Sequence, residues 1–123
     1  MSQELPIILA FYDLSVLLLQ RVIAFPKNPR YGLGRSIEHR TETILALLIQ
    51  AKYALRRDKD PFLRDVNVEL EILRFQIRQA TDLRAISMNQ QHAIIEKLIV
   101  VGQHVGGWRK SVGGDQVSDE RKP

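Results

Sequence analysis

A chain of 123 residues has room for one ordinary domain and not for two. Apolar residues make up 45% and charged residues 26%, globular proportions that exclude wholesale disorder. Lys and Arg number 18 against 14 Asp and Glu, a net charge of +4, and the absence of cysteine removes a disulfide scaffold, a thiolate zinc site and a cysteine nucleophile together.

The chain opens on an apolar run over residues 5–19, interrupted by Asp13. No positive charge precedes it (Ser2, Gln3, Glu4) and no clean small-residue cleavage site follows, so it does not read as a secretory signal. A bilayer takes roughly 20 apolar residues, and this run falls short. A helix apolar on nearly all sides is expected instead to be buried in a core or an assembly. A cytoplasmic location away from the membrane is therefore expected. The first helix is predicted over residues 4–25. Pro6 falls in its first turn, where a missing N–H costs nothing, and Phe25 stops it by preceding Pro26.

Residues 26–34, Pro-Lys-Asn-Pro-Arg-Tyr-Gly-Leu-Gly, hold two prolines and two glycines and read as an ordered turn or loop. A second helix is predicted over residues 35–58, where Ile37, Thr41, Ile44, Leu48, Ala51 and Leu55 step alternately by four and three along one face. Leu45, Leu47 and Ile49 widen that stripe beyond a two-stranded seam. Asp60 is the expected cap of a third helix starting at Pro61 and running to about Arg84, with Val66, Leu70, Leu73, Ile77 and Ala80 as its core face. Ser87-Met88-Asn89-Gln90 fits a capping box and opens a fourth helix over residues 87–110, with Ile94, Leu98, Val101, Val105 and Trp108 inward. Gly102, Gly106 and Gly107 each cost about 1 kcal/mol relative to Ala inside a helix. Either they admit another backbone closely, within or between protomers, or the helix frays near Gly106. Residues 111–123 read as a flexible tail. The expected architecture is an all-α, up-down antiparallel four-helix bundle over residues 1–110.

The basic excess is local. Residues 26–64 carry nine Lys and Arg (Lys27, Arg30, Arg35, Arg40, Lys52, Arg56, Arg57, Lys59, Arg64) against four acids, net +5. Such an excess attracts polyanions, nucleic acid above all, or simply solvates a helix face. Arg56 and Arg57 lie beside Asp58 and Asp60, which offers local neutralisation. On the third helix Arg74 and Arg78 share a face at i,i+4. They either form weak pairs with Glu71 and Asp82 or present two guanidinium groups to phosphate or an acidic partner.

Catalytic patterns are missing. His39, His92 and His104 form no Glu-x-x-His pair, and His92 with Glu96 supplies two ligands at most, so no metal site is expected. The glycine clusters lack the strand, loop and Lys-Ser/Thr of a phosphate loop, and no G-x-S-x-G occurs, so no cofactor and no catalysis are expected. Arg35 and Arg84 stand at the wrong distances from His39 and His92 for a HEPN-type ribonuclease.

Three motifs combine in order: Phe25-Pro26-Lys27 with Arg30-Tyr31-Gly32-Leu33-Gly34, Leu73-Arg74-Phe75 with Arg78, and Val101-Gly102 with Gly106 and Trp108. Together they resemble the Avd accessory proteins of diversity-generating retroelements, related to four-helix-bundle proteins encoded in ribosomal RNA intervening sequences. Residues 45–51 depart from the Ser-Ile-x-x-Asn-Ile-Ala-Glu-Gly type stretch of the latter and favour the Avd side. The resemblance implies a non-catalytic subunit that assembles as a homopentameric barrel. It further implies binding to the element's reverse transcriptase and to RNA and possibly DNA, in support of mutagenic cDNA synthesis. It implies Arg74 and Arg78 as the best-matched binding residues. Arg30, Arg35, Lys52, Arg56, Arg57 and Arg84 match in basic character, and Gly102, Gly106 and Trp108 match as packing residues. The alternative is an intervening-sequence-type bundle with an RNA-related or structural role.

Overall fold

The computed structural model describes residues 4–113, with side chains from residue 6 onward. Four long helices carry the fold: α1 (Glu4–Ile23), α2 (Arg35–Tyr53), α3 (Lys59–Asp82) and α4 (Met88–Ser111). Among the described residues there is no strand. Each helix packs on the next in chain order and α4 returns to α1, which closes a square. The expected tail of residues 111–123 lies outside the described residues from residue 114, and Ser111 still belongs to α4.

The four-and-three spacing becomes the core. Ile7, Phe11, Leu14, Leu18 and Val22 of α1 are buried. So are Ile37, Ile44, Leu48 and Ala51 of α2, Leu63, Val66, Leu70, Leu73, Ile77 and Ala80 of α3, and Ile94, Leu98, Val101, Val105 and Trp108 of α4. Burying one large apolar side chain fully contributes about 1.5–3 kcal/mol, so this seam outweighs any surface pair in the molecule. One polar cluster crosses the α2–α3 contact. Buried Gln76 donates from Nε2 to Ser36 Oγ at 2.7 Å and accepts from Arg40 Nε at 3.0 Å, while the Arg40 guanidinium also donates to Glu69. Every strong group in that cluster has a partner, as burial requires.

The connections differ from the sequence expectation in instructive ways. Residues 27–34 are helical rather than a loop, after an extended Pro26: one turn at Lys27–Pro29 runs into a π-helical stretch, Arg30–Gly34, and on into α2 without a break. Two prolines do not forbid this, because each sits where a helix start needs no N–H. Gly34 is buried at the crossing. A Cβ there would stand 3.0 Å from Val22 Cγ1 and 3.3 Å from Phe25 Cδ2, so the missing side chain lets the stretch lie against the end of α1.

The second connection begins earlier than expected. α2 ends at Tyr53, Ala54 and Leu55 are extended, and Arg56–Asp58 makes a 3-10 turn. α3 then starts at Lys59, not Pro61, and Asp60 does not cap it. Its carboxylate is instead held by Arg109 of α4, Nε to Oδ1 at 2.8 Å and Nη2 to Oδ2 at 3.2 Å. Lys59 donates to the carbonyls of Ala51 and Lys52 at 2.7 and 2.9 Å, closing the C-terminus of α2, and its ammonium lies 5.9 Å from the Trp108 ring. Arg56 donates to the Ser111 carbonyl at the end of α4.

The third connection holds the capping box as expected: Gln90 N donates to Ser87 Oγ at 3.1 Å and Ser87 N to Gln90 Oε1 at 2.9 Å. Just before it, Arg84 takes φ 61°, the left-handed conformation that ends many helices and that normally falls to Gly. α4 does not fray at Gly106 but continues to Ser111.

Gly34→Ala is expected to cost about 1–3 kcal/mol of stability through overpacking against Val22 and Phe25. Gly32→Ala, whose Cβ would meet nothing within 4 Å, should be neutral or slightly stabilising. Denaturant titration of both variants checks the contrast.

Candidate nucleic-acid and partner interface

The antiparallel topology sorts the candidate residues by end. The α1–α2 and α3–α4 connections lie together, and Leu33, Gln79, Asp82 and Leu83 line a shared depression between them. Arg30, Arg35 and Arg84 gather at this end, joined by Arg78 from the last turns of α3. Arg35, Arg78 and Arg84 are exposed, and among the described residues none of the three is in an ion pair. One Arg30 nitrogen donates to the Ile23 carbonyl at 3.0 Å, which anchors the base of an otherwise exposed side chain.

Two residues here were not singled out as site residues in the sequence. Lys27 adds a further exposed cation, and Tyr31, directly after Arg30 in the chain, is 63% exposed. The signal was present in the loop string, in which an aromatic residue follows directly on Arg30. An exposed aromatic ring among cations supplies both parts of a single-strand site, a stacking face and phosphate partners.

Lys52, Arg56 and Arg57 lie at the opposite end of α2, about 28 Å away at 1.5 Å per residue. They do not join the first cluster. Arg56 is engaged by the Ser111 carbonyl, and Lys52 sits 5.4 Å from the Tyr53 ring. Within the basic segment, Arg40 and Lys59 are likewise taken up by the fold. The neutralisation expected from Asp60 goes to Arg109, not to Arg56 or Arg57.

Arg74 and Arg78 are both exposed on α3, and the weak pairs with Glu71 and Asp82 do not form: among the described residues neither arginine is in an ion pair. Phe75 between them is more than half exposed. Arginine beside an exposed aromatic residue is the composition that dominates protein interfaces.

The packing residues divide. Trp108 is buried in the core. Gly102 and Gly106 are not packed within the protomer, since a Cβ at either would meet nothing within 4 Å. They lie along an open groove between α3 and α4. One depression of about 380 Å³ is lined by Leu70, Glu71, Arg74, Leu98 and Gly102, and another of about 460 Å³ by Gly106, Gly107 and Lys110. Asn67 and Gln103 line both.

α1 shows a second apolar face. Leu9, Tyr12 and Ile23 are 54%, 58% and 67% exposed, and half-buried Val16 and Leu19 continue the line at helical spacing. The stretch Pro6–Ile23 is longer than the apolar run read from the sequence, and by length and composition alone it is long and apolar enough to cross a membrane. Its inner face is the core of the bundle.

Among the described residues, no group of three or more His, Cys, Asp or Glu could hold a metal ion. His92 pairs with Glu96 at 3.2 Å and His39 approaches Glu42 at 3.9 Å, both on the surface.

A family model described as bAvd-like matches residues 9–112. No curated protein matches the chain. The match takes in the greater part of each of the four helices and all three connections, so the chain belongs to the bAvd-like family.

Proposed function

We propose that the protein is a non-catalytic accessory subunit of a diversity-generating retroelement, working in the cytoplasm as a homo-oligomer. It binds the element's reverse transcriptase and RNA, and supports mutagenic cDNA synthesis that its partner performs. The family membership carries this reading. The basic residues Lys27, Arg30, Arg35, Arg78 and Arg84 at the end of the bundle that carries Tyr31 support RNA contact, because all five are exposed and, of the five, Arg30 alone is seen to give a nitrogen to the backbone. The exposed Arg74-Phe75 pair with Arg78 supports contact with the reverse transcriptase. The apolar outer face of α1 supports self-association, since a patch of this kind on a soluble chain marks an interface.

Combining Arg35→Ala with Arg78→Ala should weaken binding to single-stranded RNA and reduce the magnitude of the log K against log salt slope by about 1.4, at about 0.7 per lost phosphate contact. Fluorescence anisotropy across a salt series reads it, and an unchanged slope would remove these residues from the RNA site. Arg74→Ala with Arg78→Ala should abolish co-purification with the reverse transcriptase while helicity stays constant. Retained co-purification would move the partner surface elsewhere. Arg84→Gly should raise stability by about 1 kcal/mol by relieving the left-handed backbone and should weaken RNA binding in the same variant. Chemical denaturation and anisotropy on one preparation separate the two effects.

A further inference from the structure

The depression between the α1–α2 and α3–α4 connections measures about 430 Å³, within the roughly 300–1,000 Å³ of small-ligand pockets. Its lining combines two chemistries. Leu33 from the first connection and Leu83 just past α3 are apolar, and Leu83 is 57% exposed. Gln79 and Asp82, spaced i,i+3 on α3, are polar and exposed. Among the described residues no hydrogen bond or ion pair engages either of these two side chains.

Asp82 is the odd charge at this end of the bundle. It is the last residue of α3, where the helix dipole disfavours an acid. It also works against the phosphates that Arg35, Arg78 and Arg84 would attract. No contact within the fold offsets either cost. An unengaged acceptor among cations suits a ligand that brings N–H donors and a negative backbone together. We propose that the depression takes one unpaired guanine base of single-stranded RNA. Asp82 accepts from guanine N1–H and N2–H, Gln79 donates its amide N–H to O6, and Leu33 and Leu83 lie against the ring. This rests on the RNA reading above and names the base that the site selects.

The donor pattern separates guanine from the other bases. Its Watson–Crick edge sets two N–H groups side by side, which match the two oxygens of a carboxylate, and O6 stands next to them as an acceptor. Adenine and cytosine offer one amino group beside a ring nitrogen that a carboxylate repels. Uracil offers one N–H between two carbonyls. Two charge-assisted bonds in parallel are stronger and more directional than one. Peptide ligands fit less well. A basic peptide would satisfy Asp82 but be repelled by Arg35, Arg78 and Arg84, and an acidic one would suit the arginines but be repelled by Asp82. With Lys27 and Arg30, this end also carries more cations than the phosphate of a single nucleotide would engage, which favours a base carried in a strand.

The test uses short fluorescein-labelled uridine oligomers that carry guanosine, inosine, adenosine or uridine at one central position, read by anisotropy at fixed salt. The guanosine oligomer should bind the full chain about 5- to 150-fold more tightly than the all-uridine one, the range that one bidentate pair gives a base. Inosine lacks the N2 amino group and should lose most of that gain. Asp82→Asn should abolish the guanosine preference and at the same time tighten binding of the all-uridine oligomer, because a negative charge leaves the phosphate path. The side chain is exposed and unengaged, so helicity should hold. A variant that tightens on all the oligomers alike would make Asp82 a surface charge only and overturn the proposal. Wild-type protein that binds all of them equally, or adenosine as tightly as guanosine, would overturn it while leaving the RNA reading intact. No binding to any oligomer would overturn both. Loss of reverse-transcriptase co-purification by Asp82→Asn with the guanosine preference intact would assign the depression to the protein partner and overturn the base site.

Discussion

The apolar seam shared by four helices is the constraint that everything else obeys. Once Phe11, Leu48, Leu73 and Val101 face a common axis, the rotation of each helix is set, and with it the direction of every other side chain. The polar features follow from that setting. Gln76 points toward α2 because Leu73 and Ile77 point inward, and it must then find Ser36 and Arg40. Gly102 and Gly106 lie open because Val101 and Val105 beside them are the ones that fill the core.

The two ends of the bundle use the same kind of residue for opposite purposes. At the end that holds the α2–α3 connection, Arg56, Lys59 and Arg109 are bound to carbonyls and a carboxylate, and they close helix termini that would otherwise leave backbone oxygens without donors. At the other end, helix continuity through Arg30–Gly34, the capping box at Ser87 and one Arg30 nitrogen on the Ile23 carbonyl satisfy the backbone. Arg35, Arg78 and Arg84 have nothing to close there and remain exposed. Net charge alone does not distinguish a structural cation from an available one. Only the partners do.

How much was legible beforehand follows from the range of the interactions involved. The helices and their inward faces were readable, because core stripes such as Ile94, Leu98, Val101, Val105 repeat locally, and so was the Ser87 capping box. The fate of Asp60 was not, since its partner Arg109 is 49 residues away and outcompetes a local cap. The pairing of Arg74 with Glu71 was locally reasonable and does not occur, a reminder that surface pairs gain too little to fix long side chains. Proline and glycine in residues 26–34 suggested a loop, whereas packing of Gly34 on Val22 and Phe25 keeps the segment helical. The grouping of basic residues at the Tyr31 end needed the fold itself, because only the topology brings the connection that carries Arg84 to the same end as Arg30 and Arg35. The glycine groove was visible as a spacing but not as an opening.

Trp108 is the sole tryptophan of the chain, fully enclosed and facing the ammonium of Lys59 across its ring. A nearby cation and a dry surround both shape the emission of an indole. The molecule therefore carries a built-in optical probe at the end where α2, α3 and α4 are tied together. Opening of that end would register in fluorescence as a local event, separable by its signal from any change among the arginines at the far end of the bundle.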